Sequence, residues 1–312
     1  MTVAIVLLVL GALAAATAPR LLSRADWPER EPVLALWVWQ CVVAAVLLCC
    51  VLAMALAGSA AWAEVRGNVF AFAPSGVVEA YGLSGYGNWA GWLAAALAFG
   101  GVWTAAMLTR EVRAARARRC RRHTELRVRA PRLPGESVPP EERLVVLEEP
   151  RPDAWWLSGA QGQLVITTGA LQRLKGRQLD AVLAHEQGHA RARHDVLLNC
   201  AGALAGGFPQ VPVFGAFREQ VHHLVELAAD DTASRRFGRL TTALALVELN
   251  EERGAFGPGA GPEGALQGRV HRLLDAAPRL PLARRLRVTA CALLVPAVPV
   301  IVAFGPGLHA LT

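Results

Sequence analysis

The sequence predicts a mainly α-helical, polytopic membrane protein in which four transmembrane helices carry one cytoplasmic α+β domain. Three observations predict it. Hydrophobic residues make up 54% of the 312, the mean hydropathy is positive, and the apolar residues are gathered into blocks, more than a soluble globule carries. The arginines cluster at alternate ends of those blocks. Between the third and fourth blocks, short β-branched runs give way to amphipathic helical periodicity.

Residues 2–18, 33–58, 89–109 and about 286–304 each reach or approach the ~20 residues that cross a bilayer. The first block ends in Ala16-Thr17-Ala18, as a secretory signal would. It has no basic start and is followed by Arg20 and Arg24, so a retained helix is expected. The last holds Pro296 and Pro299, which membrane helices tolerate where neighbours satisfy the freed carbonyls.

Orientation follows from the positive charges. Arg20, Arg24 and Arg30 follow the first block, Arg110, Arg113, Arg116, Arg118, Arg119, Arg121 and Arg122 follow the third, and Arg284, Arg285 and Arg287 precede the fourth. The 59–88 loop holds only Arg66. Positive residues stay inside. The N-terminus and the 59–88 loop are therefore expected outside, with residues 110–284 in the cytoplasm. The basic run 110–132 reads as a topology signal that meets anionic lipid head groups rather than nucleic acid, and it accounts for much of the net charge of +7. None of the six cysteines shows C-x-x-C spacing, and no disulfide framework is expected.

Within 110–284, residues 130–142 and 253–268 are rich in Pro and Gly and read as a linker and a mobile loop. Residues 143–147 and 163–167 read as short strands separated by a turn region, with helices from about residue 169. Residues 196–217 are apolar but broken by Gly206, Gly207, Pro209 and Pro212. That break favours a hairpin or re-entrant element over a fifth span.

The chemistry lies in residues 185–189, His-Glu-Gln-Gly-His. Two histidines four residues apart share one helix face, so both imidazoles reach one Zn²⁺ while Glu186 handles the proton of a water molecule. Leu179, Val182 and Leu183 place the pentapeptide inside an amphipathic helix. Such a site needs a third ligand and an open position. Glu226 is the candidate, and Asp230, one turn later, is placed to accept the outer ring N–H of a ligating histidine. Asp231 could exchange roles with Asp230, and an ion pair of Asp230 with Arg235 or Arg236 is the alternative. His222 and His223, one turn before Glu226, are candidates to stabilise an oxyanion, because residues 110–284 contain no tyrosine. His194 and Asp195 suit the C-terminal cap of the ligand helix, with Arg191 or Arg193 as partners.

His185-Glu-x-x-His189 followed by Glu226-x-x-x-Asp230 resembles the gluzincin membrane metallopeptidases. The flanks Leu164-Val-Ile-Thr-Thr-Gly169 and His189-Ala-Arg-Ala-Arg-His-Asp195 resemble the surroundings of the motif in those enzymes. The topology is similar to that of the BlaR/MecR-type antirepressor peptidases, with the HtpX/Ste24-type membrane proteases second. The resemblance implies one Zn²⁺ per chain held by His185, His189 and Glu226, with Asp230 behind a ligand and Glu186 as general base. It also implies a small sheet beside the active-site helix. In the BlaR/MecR type a penicillin-binding sensor follows the fourth span. Here about eight residues follow it, so β-lactam recognition is not expected. The expected function is a zinc metalloendopeptidase acting on a protein or peptide substrate at the cytoplasmic face, such as a transcriptional repressor. The alternatives are a protease that clears damaged membrane proteins and a non-catalytic sensor or scaffold braced by zinc.

Overall fold

The computed structural model describes residues 2–83, 89–129, 143–157, 163–250, 262–275 and 278–311. The chain divides into two compact units, one of residues 1–109, 201–219 and 280–312, the other of residues 110–200 and 220–279.

The first unit holds the apolar blocks. Its helices are α1 (Thr2–Ser23), α2 (Trp27–Arg30), α3 (Pro32–Ala61), α4 (Ala63–Val69), α5 (Ser75–Ala80) and the apolar part of α6 (Trp89–Arg129). Among the described residues, four helices are long and apolar enough to cross a membrane: Val3–Ser23, Pro32–Ala61, Trp89–Arg118 and Leu282–His309. They coincide with the four expected spans, each somewhat longer. The last remains one helix through Pro296, Pro299 and Pro306. Small residues let these helices approach closely, as membrane packing requires. Ala4, Ala53, Ala90 and Ala303 are buried together with Leu7, Leu56 and Tyr81.

Residues 201–219 turn back on themselves. The helix α9 (His194–Gly207) ends at the glycine pair and α10 (Pro212–Phe237) starts on a proline, whose missing N–H costs nothing at a helix N-terminus. The Phe208 and Phe214 rings meet across the turn, 5.9 Å apart. Trp103 donates its indole N–H to the Gly207 carbonyl at 2.9 Å, satisfying an acceptor the helix end leaves free. The apolar stretch is thus two helices broken at residues 208–211, where the glycines and prolines stand.

The second unit is a small sheet with helices. Strands β1 (Arg143–Leu147) and β3 (Gln163–Thr167) occupy the expected residues and pair in parallel, Val145 opposite Val165. One expectation fails between them. The region read as a turn contains strand β2 (Ala154–Leu157), antiparallel to β3 in a sheet ordered β1-β3-β2. Trp155 and Trp156 favour a pleated surface, but Pro150, Pro152 and Asp153 hide so short a run in the sequence.

After β3 come α7 (Thr168–Arg173), α8 (Arg177–Arg191), the start of α9, the end of α10, α11 (Arg239–Asn250) and α12 (Pro262–Leu274). Ile166, Ala170, Ala181, Val182 and Ala245 form the core beneath α8. The helix α12 corrects the second expectation, since residues 262–268 are helical and not a mobile loop. Leu266 and Leu273 bury themselves against Ala243 and Leu246 of α11, and this packing outweighs the low helix propensity of Gly264 and Gly268. The rest of that stretch, 253–261, and the expected linker 130–142 lie outside the described residues.

Candidate metal centre

The helix α8 is set in place from its N-terminal side. Thr167, at the end of β3, caps α7 by accepting the Ala170 N–H, and its hydroxyl bridges to the Arg151 carbonyl and the Asp153 N–H. These bonds join β3 to the chain entering β2, and they need Gly169, because a Cβ there would overlap the Pro150 carbonyl. Ala181 and Val182 anchor the buried face of α8. His185, on the same face, is 8% exposed.

The helix α10 brings the third group. It packs against α8 at Gly188, where a Cβ would already be in van der Waals contact, 3.4 Å from Cβ of Thr232 and 3.5 Å from Cα of Ala229. His185 Nε2 and His189 Nε2 are 3.2 Å apart. Glu226 Oε2 lies 3.6 Å from the first and Glu226 Oε1 3.5 Å from the second. A tetrahedral zinc ion with ligands at ~2.0–2.1 Å has ligand–ligand edges of about 3.4 Å. Each imidazole thus has a Glu226 oxygen near that edge length, Oε2 for His185 and Oε1 for His189; the donor types fit zinc, and the three residues form a group able to hold a metal ion.

Three polar groups stand behind these donors. Asp230 is fully buried, with Oδ1 3.0 Å from His185 Nδ1, an ion-pair contact and not a hydrogen bond. Its ion pair is not with Arg235 or Arg236. Arg269 of α12 donates Nε–H to Oδ2 at 2.8 Å and Nη2–H to Oδ1 at 2.7 Å, while its Nη1 lies 2.8 Å from Glu226 Oε2. Asp231 pairs elsewhere, with Arg272 at 2.8 Å. His194 does not cap α8. It opens α9, and its Nδ1 lies 2.9 Å from Nδ1 of His189. If Nε2 of His189 offers its lone pair to a metal, Nδ1 carries the proton and donates, so His194 accepts.

Glu186 points at the sheet. The Trp156 backbone N–H donates to its Oε2 at 3.0 Å. Burial raises its carboxyl above the usual range, opposed by the nearby His185. Burial works against protonation of His185, but Asp230 and Glu226 outweigh it and lift the imidazole to about 9. Burial and the His185 charge push His189 down to about 4. Burial raises Glu226, yet His185 and Arg269 overcome it and hold the carboxyl at about 2. The carboxylates Asp230 and Glu226 thus favour positive charge at His185. That arrangement suits a cation.

A cavity of about 150 Å³ opens beside His185, Glu186 and Glu226, with Ala181, Val182, Ala245, Leu246 and Leu249 as its apolar wall and Arg269 at its edge. His222 is exposed and His223 half-buried, and neither lines it. Sequence reasoning missed three groups of this site: Arg269, the Trp156 N–H and the inward role of His194. Only His194 carried a signal, as a histidine five residues beyond a ligand.

No solved structure matches this chain. A stretch of 74 residues is 40% identical to the plastoglobule-localized metallopeptidase 48, chloroplastic, of Arabidopsis thaliana. The match covers 23% of this chain and 22% of that protein, so it spans about a fifth of the relative's length. Residues 115–249, which include the pentapeptide, Glu226 and Asp230, match the family described as Peptidase family M48.

Proposed function

We propose that the protein is a membrane-bound zinc metalloendopeptidase that hydrolyses peptide bonds of a protein substrate on the cytoplasmic side, in regulated proteolysis such as repressor cleavage. The observation that carries this reading is the convergence of His185, His189 and Glu226, each with a donor atom within 4.8 Å of the others, with Glu186 beside them. His185, His189 and Glu226 are the ligands of one zinc ion per chain, and zinc supplies an acidified water and a polarised scissile carbonyl.

The chain's own residues do the rest. Glu186 takes the proton of the attacking water as its oxygen bonds to the carbonyl carbon, then delivers that proton to the leaving nitrogen as the C–N bond breaks. Its elevated pKa suits both roles. Asp230 steadies His185, and His194 steadies His189. For the oxyanion the candidates are His222 and His223. A fall in kcat on replacing either with alanine, with bound zinc unchanged, would assign it, and unchanged kcat in both would remove it.

The four apolar helices support a membrane location. The distribution of arginines supports an orientation with the N-terminus outside and residues 110–284 in the cytoplasm. Elemental analysis of the detergent-purified chain tests the reading. One zinc per wild-type chain, lost in Glu226→Ala, supports it; zinc-free wild type refutes it. Comparing the proteomes of cells that express wild type and Glu186→Gln separates cleavage of one regulator from broad clearance of membrane proteins.

A further inference from the structure

We infer that Arg269 is a positioning residue of the metal centre: by occupying Oε2 of Glu226 it leaves Oε1 as the single donor oxygen and so keeps a coordination position open. The inference rests on the zinc reading above. Arg269 comes from α12, 43 residues beyond Glu226 in sequence, and its side chain is 13% exposed. Its guanidinium is the planar fork that binds two acceptors at fixed angles. Nε and Nη2 grip both oxygens of Asp230, which fixes the plane of the fork and aims Nη1 at Glu226 Oε2, 2.8 Å away.

The consequence concerns coordination number. Both oxygens of Glu226 lie within 3.6 Å of an imidazole nitrogen, so a free carboxylate here has the reach to chelate with both. A chelating Glu226 would fill the position that a catalytic site keeps open for water. A guanidinium on Oε2 competes for that oxygen's lone pairs. Lysine cannot substitute, because one ammonium cannot hold the Asp230 pair and aim a second donor in a fixed direction.

The test uses the full chain in detergent, loaded with cobalt(II) for its visible spectrum and titrated with zinc against a chelator. In Arg269→Lys, which keeps a cation beside buried Asp230, zinc is expected to bind about 10- to 100-fold more weakly, the range for outer-shell partners. The cobalt band should lose intensity as the second carboxylate oxygen joins. A wild-type spectrum with wild-type affinity in this variant overturns the inference. If Arg269→Lys does not fold, Asp230→Asn/Arg269→Met removes the buried pair together and is read against Asp230→Asn alone. A further spectral change in the double variant supports positioning, and identical spectra overturn it. Metal lost in Glu226→Ala but unaltered in the Arg269 variants sinks this inference alone. A wild-type chain that binds neither cobalt nor zinc sinks the metal centre as well.

Discussion

The backbone N–H of Trp156 donates to Oε2 of Glu186 across 3.0 Å, so the second strand of the sheet holds the candidate general base by its main chain. The bond depends on β2 being pleated and in register, Trp156 opposite Leu164 of β3. In Glu186→Gln the amide oxygen still accepts this N–H, and the site keeps its shape. Peptidase activity of this variant should fall by about 10²- to 10⁴-fold, the usual contribution of a general base, while zinc content stays at the wild-type value. Activity equal to wild type would mean that zinc only braces the helices.

His194 should matter for metal retention. In His194→Ala the outer nitrogen of His189 loses its partner at 2.9 Å. Zinc affinity should drop about 10- to 100-fold in a chelator competition. Arg191, exposed on the same turn of α8, serves as the control position, where alanine should leave affinity unchanged.

Gly188 should be intolerant of bulk. A leucine there meets Ala229 and Thr232 of α10 at contact distance before its side chain begins to branch. The ligand helices must separate, and overpacking of this kind costs about 1–3 kcal/mol. The expected result is a lowered melting temperature in detergent and less than one zinc per chain. A normal melting temperature with full zinc would show that α8 and α10 do not need this contact.

The cavity beside the site should select substrate side chains. A cavity of about 150 Å³ is the size that admits one benzene ring; Ala181, Val182, Leu246 and Leu249 give it an apolar part, while Asp153, Glu186, Glu226 and Arg269 also face it. Mass spectrometry of a mixed peptide library should therefore show cleavage beside Leu, Met or Phe and little beside Asp, Glu or Trp. A flat profile would mean that the cavity does not receive substrate.

Elements with strong periodicity or long apolar runs were legible in the sequence. The four spans, strands β1 and β3, helix α8 and the turn after Gly207 all follow from such signals. So does the trio His185, His189 and Glu226, because spacing along two helices carries it. The missed parts depend on tertiary contact. The strand β2 has only four residues and exists because β3 offers an antiparallel edge. The helix α12 starts in a Gly- and Pro-rich stretch and is held by burial of Leu266 and Leu273. Arg269 reaches Asp230 across 39 residues, which no local pattern encodes. His194 looked like the end of one helix because Arg193, at positive φ, makes the break just before it.

Two adjacent acids of α10, Asp230 and Asp231, meet two arginines spaced by three on α12, Arg269 and Arg272. Sliding or rotating α12 by one residue would break both pairs at once, so the helix has a single seating, like a key with two teeth. On the proposed reading of the site, the two segments His185–His189 and Glu226–Asp230 would not by themselves specify a working centre of this design. A sequence that keeps His-Glu-x-x-His and Glu-x-x-x-Asp-Asp but lacks a later Arg-x-x-Arg has lost the latch.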